Sequence, residues 1–182
     1  NGSFGKRATW IDAAGIGRAD AFNEAIGRAH GDILSMLSAG SFHFEETLRI
    51  VEEAAERHPH VDCFCGDAML ADASGRPFAE FNVAGRPGRG RRHSLRLCAA
   101  STFIRRSALE RSGPLDPALR YWADYDLWLR LEQTGAVFRR IPRLLAARRA
   151  SAPAPAESDF TSLPTVESLD ELMQIRVRSS RG

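Results

Sequence analysis

Between Asp20 and Leu70 the spacing of apolar residues switches repeatedly between two periods, and that alternation limits the folds open to this chain. Ala21, Phe22, Ala25, Ile26 and Ala29 recur at helical spacing, so residues 20–29 are expected to form an amphipathic helix, ended by Gly31-Asp32. Residues 33–37 read as a short apolar strand, and Ser38-Ala39-Gly40-Ser41 as the loop after it. A second helix is expected from about Glu45 to Arg57. Its two leading glutamates suit the helix dipole, and Pro59 closes it. Residues 61–70 are the next strand. Helix and strand taken in turn predict an α/β layered domain. In such sheets ligands bind beyond the C-terminal ends of the strands, which draws attention to residues 38–44 and to the segment before Asp124.

The pattern becomes mixed further on. A turn at 73–76 leads to a strand at 77–83, and residues 85–93 (GRPGRGRRH) have no apolar periodicity and read as a loop. Residues 101–104 suggest a strand and 106–112 a short helix stopped by Gly113-Pro114. The strongest helix signal is 124–133, ended by Gly135, and two strands are expected at 137–141 and 144–149. Residues 1–9 are expected to be a disordered or vector-derived tail, and 10–149 the domain. An Ala/Ser/Pro linker with a helix at 168–176 should fill residues 150–182.

Composition narrows the function classes. At 182 residues, 43 % hydrophobic and 26 % charged, the chain suits one globular domain. No apolar run approaches the roughly 20 residues of a membrane span. The formal net charge is only +2, and Lys6 is the single lysine beside 24 arginines spread over every kind of segment. Arg86, Arg89, Arg91, Arg92 and Arg96 could together neutralise several phosphates. That loop has no interleaved aromatics for stacking on bases, so a solvated loop is the plainer reading and no nucleic-acid partner is expected. Three cysteines form no disulfide framework. Cys63 and Cys65 share one face of a strand and read as small buried apolar groups, since a metal site would need two more ligands. A reduced, cytoplasmic setting follows.

Three segments together resemble the family 2 glycosyltransferases, which have the GT-A fold. Gly17-Arg18-Ala19-Asp20-Ala21-Phe22-Asn23, followed by Ala29-His30-Gly31-Asp32, is similar to the family's G-x-x-D-A-x-N…A-x-G-D helix and strand. Asp62, Gly66 and Asp67 in VDCFCGD resemble its D-V-V-Y-G-D strand. Residues 102–131, TFIRRSALERSGPLDPALRYWADYDLWLRL, resemble its F-F-R-R-S-A-x-E-x-x-G-x-L-D…D-Y-D-L-W-L-R block, and Ile141-Pro142 matches the I-P-x-x-L-A that follows. The likeness covers about residues 10–149.

The resemblance implies a GT-A-like (Rossmann-like) α/β fold, a mixed sheet flanked by helices. It implies an N-terminally truncated one, because the family's opening strand–helix–strand units, which bind base and ribose, have no counterpart before Trp10. At least one βαβ unit of roughly 30 residues would be missing. The sheet edge so exposed would pair with another segment or form a homodimer. The implied activity is transfer of a sugar from a nucleotide diphosphate to a hydroxyl of a glycan or lipid-linked acceptor, with inversion, in the cytoplasm or at the cytoplasmic face of the membrane. Asp124 takes the place of the general base, and Gly17, Asn23 and Asp67 fall at substrate-binding positions. The residues themselves add that Asp124 lies in line with Leu127, Trp128 and Leu131 while Asp126 points elsewhere; a simple helix cap is the competing reading of Asp124.

The resemblance fails at the metal loop. The family holds Mg2+ or Mn2+ with an N-S-D-D segment, which here is Ser38-Ala39-Gly40-Ser41, and hard cations need charged oxygen ligands. Asp32 is at the wrong end of its strand, and His43 reads as a surface residue of the loop. The family's S-E-P-D becomes Asp12-Ala13-Ala14-Gly15, its Q-P becomes Ala99-Ala100, and its late histidine falls near Ser151. Three functions therefore stay open: a glycosyltransferase, a non-catalytic binding or scaffold relative, and an anionic-surface binder acting through the arginine-rich loop.

Overall fold

The computed structural model describes residues 8–72, 74–83, 97–149 and 166–180. These residues form strands β1 (Ile33–Ser35), β2 (Ser41–His43), β3 (Cys63–Ala71), β4 (Pro77–Phe81), β5 (Thr102–Arg105) and β6 (Phe138–Arg149). The helices are α1 (Arg18–Arg28), α2 (Thr47–Arg57), α3 (Arg106–Ser112), α4 (Ala123–Gln133) and α5 (Val166–Ser180), with a 3₁₀ turn at Ala99–Ser101. The sheet runs β1-β5-β3-β6-β2, and β4 lies beside the second half of β3. β3 and β6 are parallel, whereas β1–β5, β3–β5, β3–β4 and β2–β6 are antiparallel.

Period-two alternation divides the side chains between two cores. On one face, Cys63 and Cys65 of β3 join Ile104 of β5 and Leu34 of β1 beneath Leu127, Trp128 and Leu131 of α4. On the other, Phe64, Phe103 and Ile33 meet Val51, Ala54 and Ala55 of α2. Register enforces this, with Cys63 opposite Ile104 and Phe64 opposite Phe103. A slip of one residue would exchange the two faces. The cysteines are fully buried, and burial pushes the Cys65 thiol up to about 12 and that of Cys63 higher still, so both are inert.

Several expected boundaries shift. Residues 137–141 and 144–149 are one continuous strand: Gly66 pairs Ile141 and Asp67 pairs Leu144, so Pro142-Arg143 bulge out of β6. A proline without an N–H is at home in such a bulge. Ser41 and His43 belong to β2 rather than to a loop, because their backbone pairs with Arg148 and Ala146. Helix α2 begins at Thr47, so Glu45 and Glu46 precede its first turn instead of filling it; Glu46 pairs with Arg49. The strand expected at 77–83 stops at Phe81, and the terminal helix extends beyond 168–176 at both ends. The arginine-rich loop, the 150–157 linker and residues 1–7 lie outside the described residues.

Arginines tie helices to the sheet. Arg105 donates to the carbonyls of Val61 (2.7 Å) and Ala55 (2.8 Å), at the end of α2. Arg106 donates to Ala29 (2.6 Å) and Gly31 (2.9 Å), at the end of α1. Cations suit the carbonyl-rich C-terminal ends of helices. Asn23 exchanges two 2.9 Å bonds with the backbone of Leu115, fixing α1 against the segment that leads to α4.

Gly66 is the position where β3 tolerates no side chain. A Cβ there would lie 2.3 Å from two carbons of the buried Leu145 and 3.0 Å from the Arg143 carbonyl. Gly66→Ala is therefore expected to destabilise the fold by about 1–3 kcal/mol. Gly27→Ala, where a Cβ meets nothing within 4 Å, should stabilise by about 0.5–1 kcal/mol. Urea midpoints of the two variants should move in opposite directions; equal shifts would mean that the bulge absorbs the methyl group.

Candidate functional site

A pocket opens beyond the C-terminal end of β1. Arg18, Ala19 and Phe22 of α1 form one wall, and Cys98, Ala99 and Ala100 another. Met36, Ser38 and Ser41 make the floor, and Ala123, Asp124 and Arg148 close it. As the described residues enclose it, its volume is about 40 Å³. This is the place where the strand-end rule directs attention. The turn that crosses it holds Gly40 at φ +84°, a conformation costly for other residues, and brings the Ser38 and Ser41 hydroxyls within 3.2 Å.

Asp124 enters this pocket because both ends of its segment are held. Trp122 occupies the position before α4, so Asp124 stands in the first turn rather than at the cap, and its Oδ1 accepts the Tyr125 N–H at 2.9 Å. Leu127, Trp128 and Leu131 are buried, and Asp124 continues their stripe into the pocket; Asp126 pairs with Arg130 at 2.8 Å. The loop before α4 is latched by α5. The carboxylate of Glu171 accepts the N–H groups of Arg120 (2.8 Å), Tyr121 (2.8 Å) and Trp122 (2.6 Å), and the Trp122 indole donates to the Ser168 carbonyl at 2.8 Å. An anion at the start of a helix is well placed against its dipole.

Burial raises the affinity of the Asp124 carboxyl for its proton above the usual carboxylate range, while Arg18, the Tyr125 N–H and Arg148 pull it back. Arg148 reaches the site through strand register, since Ser41 of β2 is its partner in the ladder. Neither arginine was singled out by the sequence, where 24 scattered arginines hide two that converge. Glu171 gave no signal either, because its partners lie about fifty residues away.

The other residues that the resemblance assigns to substrate lie apart from the lining. Gly17 stands before α1, next to Arg18 at the pocket wall. Asn23 is engaged with Leu115, as above. Asp67 is buried and accepts the Val83 N–H at 2.8 Å and a guanidinium N–H of Arg140 at 2.7 Å. His43 is half-buried on β2, its Nε2 2.9 Å from the Ala100 carbonyl and its ring 5.0 Å from that of Phe103.

Mg2+ or Mn2+ does not fit these residues. Asp124 is the single carboxylate of the described lining, and Ser38 and Ser41 offer neutral hydroxyls. Two arginines, Arg18 and Arg148, line the same pocket and act electrostatically on Asp124. Among the described residues no three His, Cys, Asp or Glu side chains gather as a metal would require.

Two measurements follow. With its folded pKa raised, Asp124 weakens the fold when ionised, a penalty present above that pKa and absent below the unfolded value. Asp124→Asn should therefore raise the melting temperature at pH 7, with the gain vanishing as the pH falls below about 4. A variant less stable than the parent at neutral pH would show that the arginines outweigh burial. Glu171→Ala removes the acceptor of three backbone N–H groups and should cost about 1–2 kcal/mol in urea unfolding; no change would mean that water replaces the latch.

No family model matches the chain, and no curated protein matches it. Solved structures do match. S. aureus TarS 1–349 in complex with UDP superposes with a TM-score of 0.64 at 12 % identity, covering 90 % of this chain and 45 % of that one. The same protein in complex with UDP-GlcNAc gives 0.64 and 12 %, covering 88 % and 46 %. A longer TarS chain gives 0.58 and 13 %, covering 74 % and 24 %. This chain thus spans less than half the length of the structures it matches. At such identities the likeness concerns the fold, and the fold is GT-A-like: a mixed, curled α/β sheet flanked by helices.

Proposed function

We propose that the chain is part of an inverting glycosyltransferase of the family 2 type, with Asp124 as its general base. The observation that carries this reading is the position of Asp124, part-buried at the first turn of α4 and directed into the pocket beyond β1. The likeness to a protein solved with UDP and with UDP-GlcNAc supports a nucleotide-diphosphate sugar as donor. In the reaction Asp124 accepts the proton of the acceptor hydroxyl as its oxygen bonds to the anomeric carbon. The bond from that carbon to the diphosphate breaks, and the nucleoside diphosphate leaves with the electron pair. A carboxylate whose proton affinity is raised by burial is a better base near neutral pH. Gly17, Asn23 and Asp67 serve the donor by holding the frame: Gly17 starts α1, Asn23 fixes α1 to the Leu115 segment, and Asp67 orients Arg140. The acceptor is a glycan or a lipid-linked sugar. A lipid-linked acceptor would be met at the cytoplasmic face of the membrane, and no helix among the described residues is long and apolar enough to cross one.

The misfit of Mg2+ or Mn2+ favours a second reading, a relative of the family that binds without catalysis. Incubation with a panel of nucleotide-diphosphate sugars, in the 182-residue chain and in any longer gene product, separates the two. Release of nucleoside diphosphate that falls at least about a hundredfold in Asp124→Asn supports the enzyme. Release absent from both, in a chain that unfolds cooperatively, supports the binding relative.

A further inference from the structure

Arg18 and Arg148 come from opposite ends of the described domain, one from the first turn of α1 and one from the last residues of β6. Both line the pocket whose floor is Ser38 and Ser41. Ladder register makes Arg148 the cross-strand neighbour of Ser41, so this guanidinium stands at the very segment where the resemblance calls for metal-binding carboxylates. We infer that this pocket binds the phosphate groups of its ligand directly, through the guanidinium groups of Arg18 and Arg148 and the hydroxyls of Ser38 and Ser41, without a divalent cation. The inference rests on the donor-binding reading above and concerns the same pocket.

Four features support it. Each guanidinium carries five N–H donors in a planar fork that matches phosphate oxygens, so engagement with one neighbour leaves donors for a ligand. Serine hydroxyls donate to phosphate oxygens, as neutral groups on a metal site's floor would not replace carboxylates. Both guanidinium groups act on the Asp124 carboxyl electrostatically, so the two cations converge on this one pocket and suit an anion held between them. The volume of about 40 Å³ suits a phosphoryl group and falls well short of the roughly 300 Å³ of a site that encloses a whole small molecule.

Inorganic pyrophosphate is the probe, titrated calorimetrically into the intact chain in EDTA and again with Mn2+. Binding in EDTA that weakens with added salt, and that falls about tenfold or more in Arg148→Gln and in Arg18→Gln, is the expected result. Arg49→Gln, an exposed arginine outside the pocket, should bind as the parent does. If Arg148→Gln fails to unfold cooperatively, Arg18→Gln alone decides, since Arg18 sits at the start of a helix. Binding that needs Mn2+, binding indifferent to these arginines, or no binding at all would overturn the inference. The two readings fail separately. Pyrophosphate binding in EDTA with no release from any nucleotide sugar removes the enzyme and leaves this inference standing. Nucleotide binding that appears only with Mn2+ does the reverse.

Discussion

The structure depends on β3 being able to pair along both edges while burying both faces. Its first half is flanked by β5 and β6, and its second half by β4 and β6. Residues Cys63 to Ala68 are all buried, so a strand in this position can carry only side chains that fit two cores at once. Gly66 resolves the one conflict. There β6 needs two extra residues to pass Pro142, and the bulge folds Leu145 over the bare backbone of β3. With that contact in place, the later part of β6 reaches β2, and Arg148 arrives opposite Ser41. The charge of the pocket is thus a consequence of packing several residues away.

Around this strand, the residues that give the chain its family likeness act largely as latches. Arg105 and Arg106 hold the C-terminal ends of α2 and α1, and Asn23 holds α1 to the segment before α4. Asp62 accepts the Val137 N–H and pairs with Arg111, while Asp67 holds Arg140. Each satisfies backbone groups or charges that would be costly to bury alone. A sequence motif made of such residues reports a frame, and a frame is compatible with catalysis or with binding alone. Asp124 is different: its Oδ1 accepts the Tyr125 N–H, a bond that other acceptor side chains could make, and the residue also lines the pocket.

The elements legible in the sequence were those with strong local periodicity. Helix α3 falls on the residues expected, α4 differs by one residue, and the shared face of Cys63 and Cys65 follows from their spacing of two. What escaped was non-local. A proline normally interrupts a strand, so the sequence predicts two strands where pairing with β3 carries β6 past Pro142. Three residues of β2 are too few to show a period, and only their partner strand makes them one. The candidate base could be read from the motif that surrounds it. Its companions could not, because Arg18, Arg148 and Glu171 become neighbours of the α4 segment only through register and helix packing.

The serines and the arginines of the pocket are best understood together. Two carboxylates on the Ser38–Ser41 turn would lie beside Arg148, across a ladder pair, and would form ion pairs with it in a part-buried setting where such pairs are strong. Two added anions would also offset the charge of the arginines in the described lining unless a divalent ion restored it. With hydroxyls there instead, the turn itself brings no anion to Arg148, and the arginine and the serines line the same pocket. A metal loop and a guanidinium pair are therefore alternative ways of supplying positive charge at one place, and they interfere if combined. The lining described here has the groups of the second and lacks those of the first.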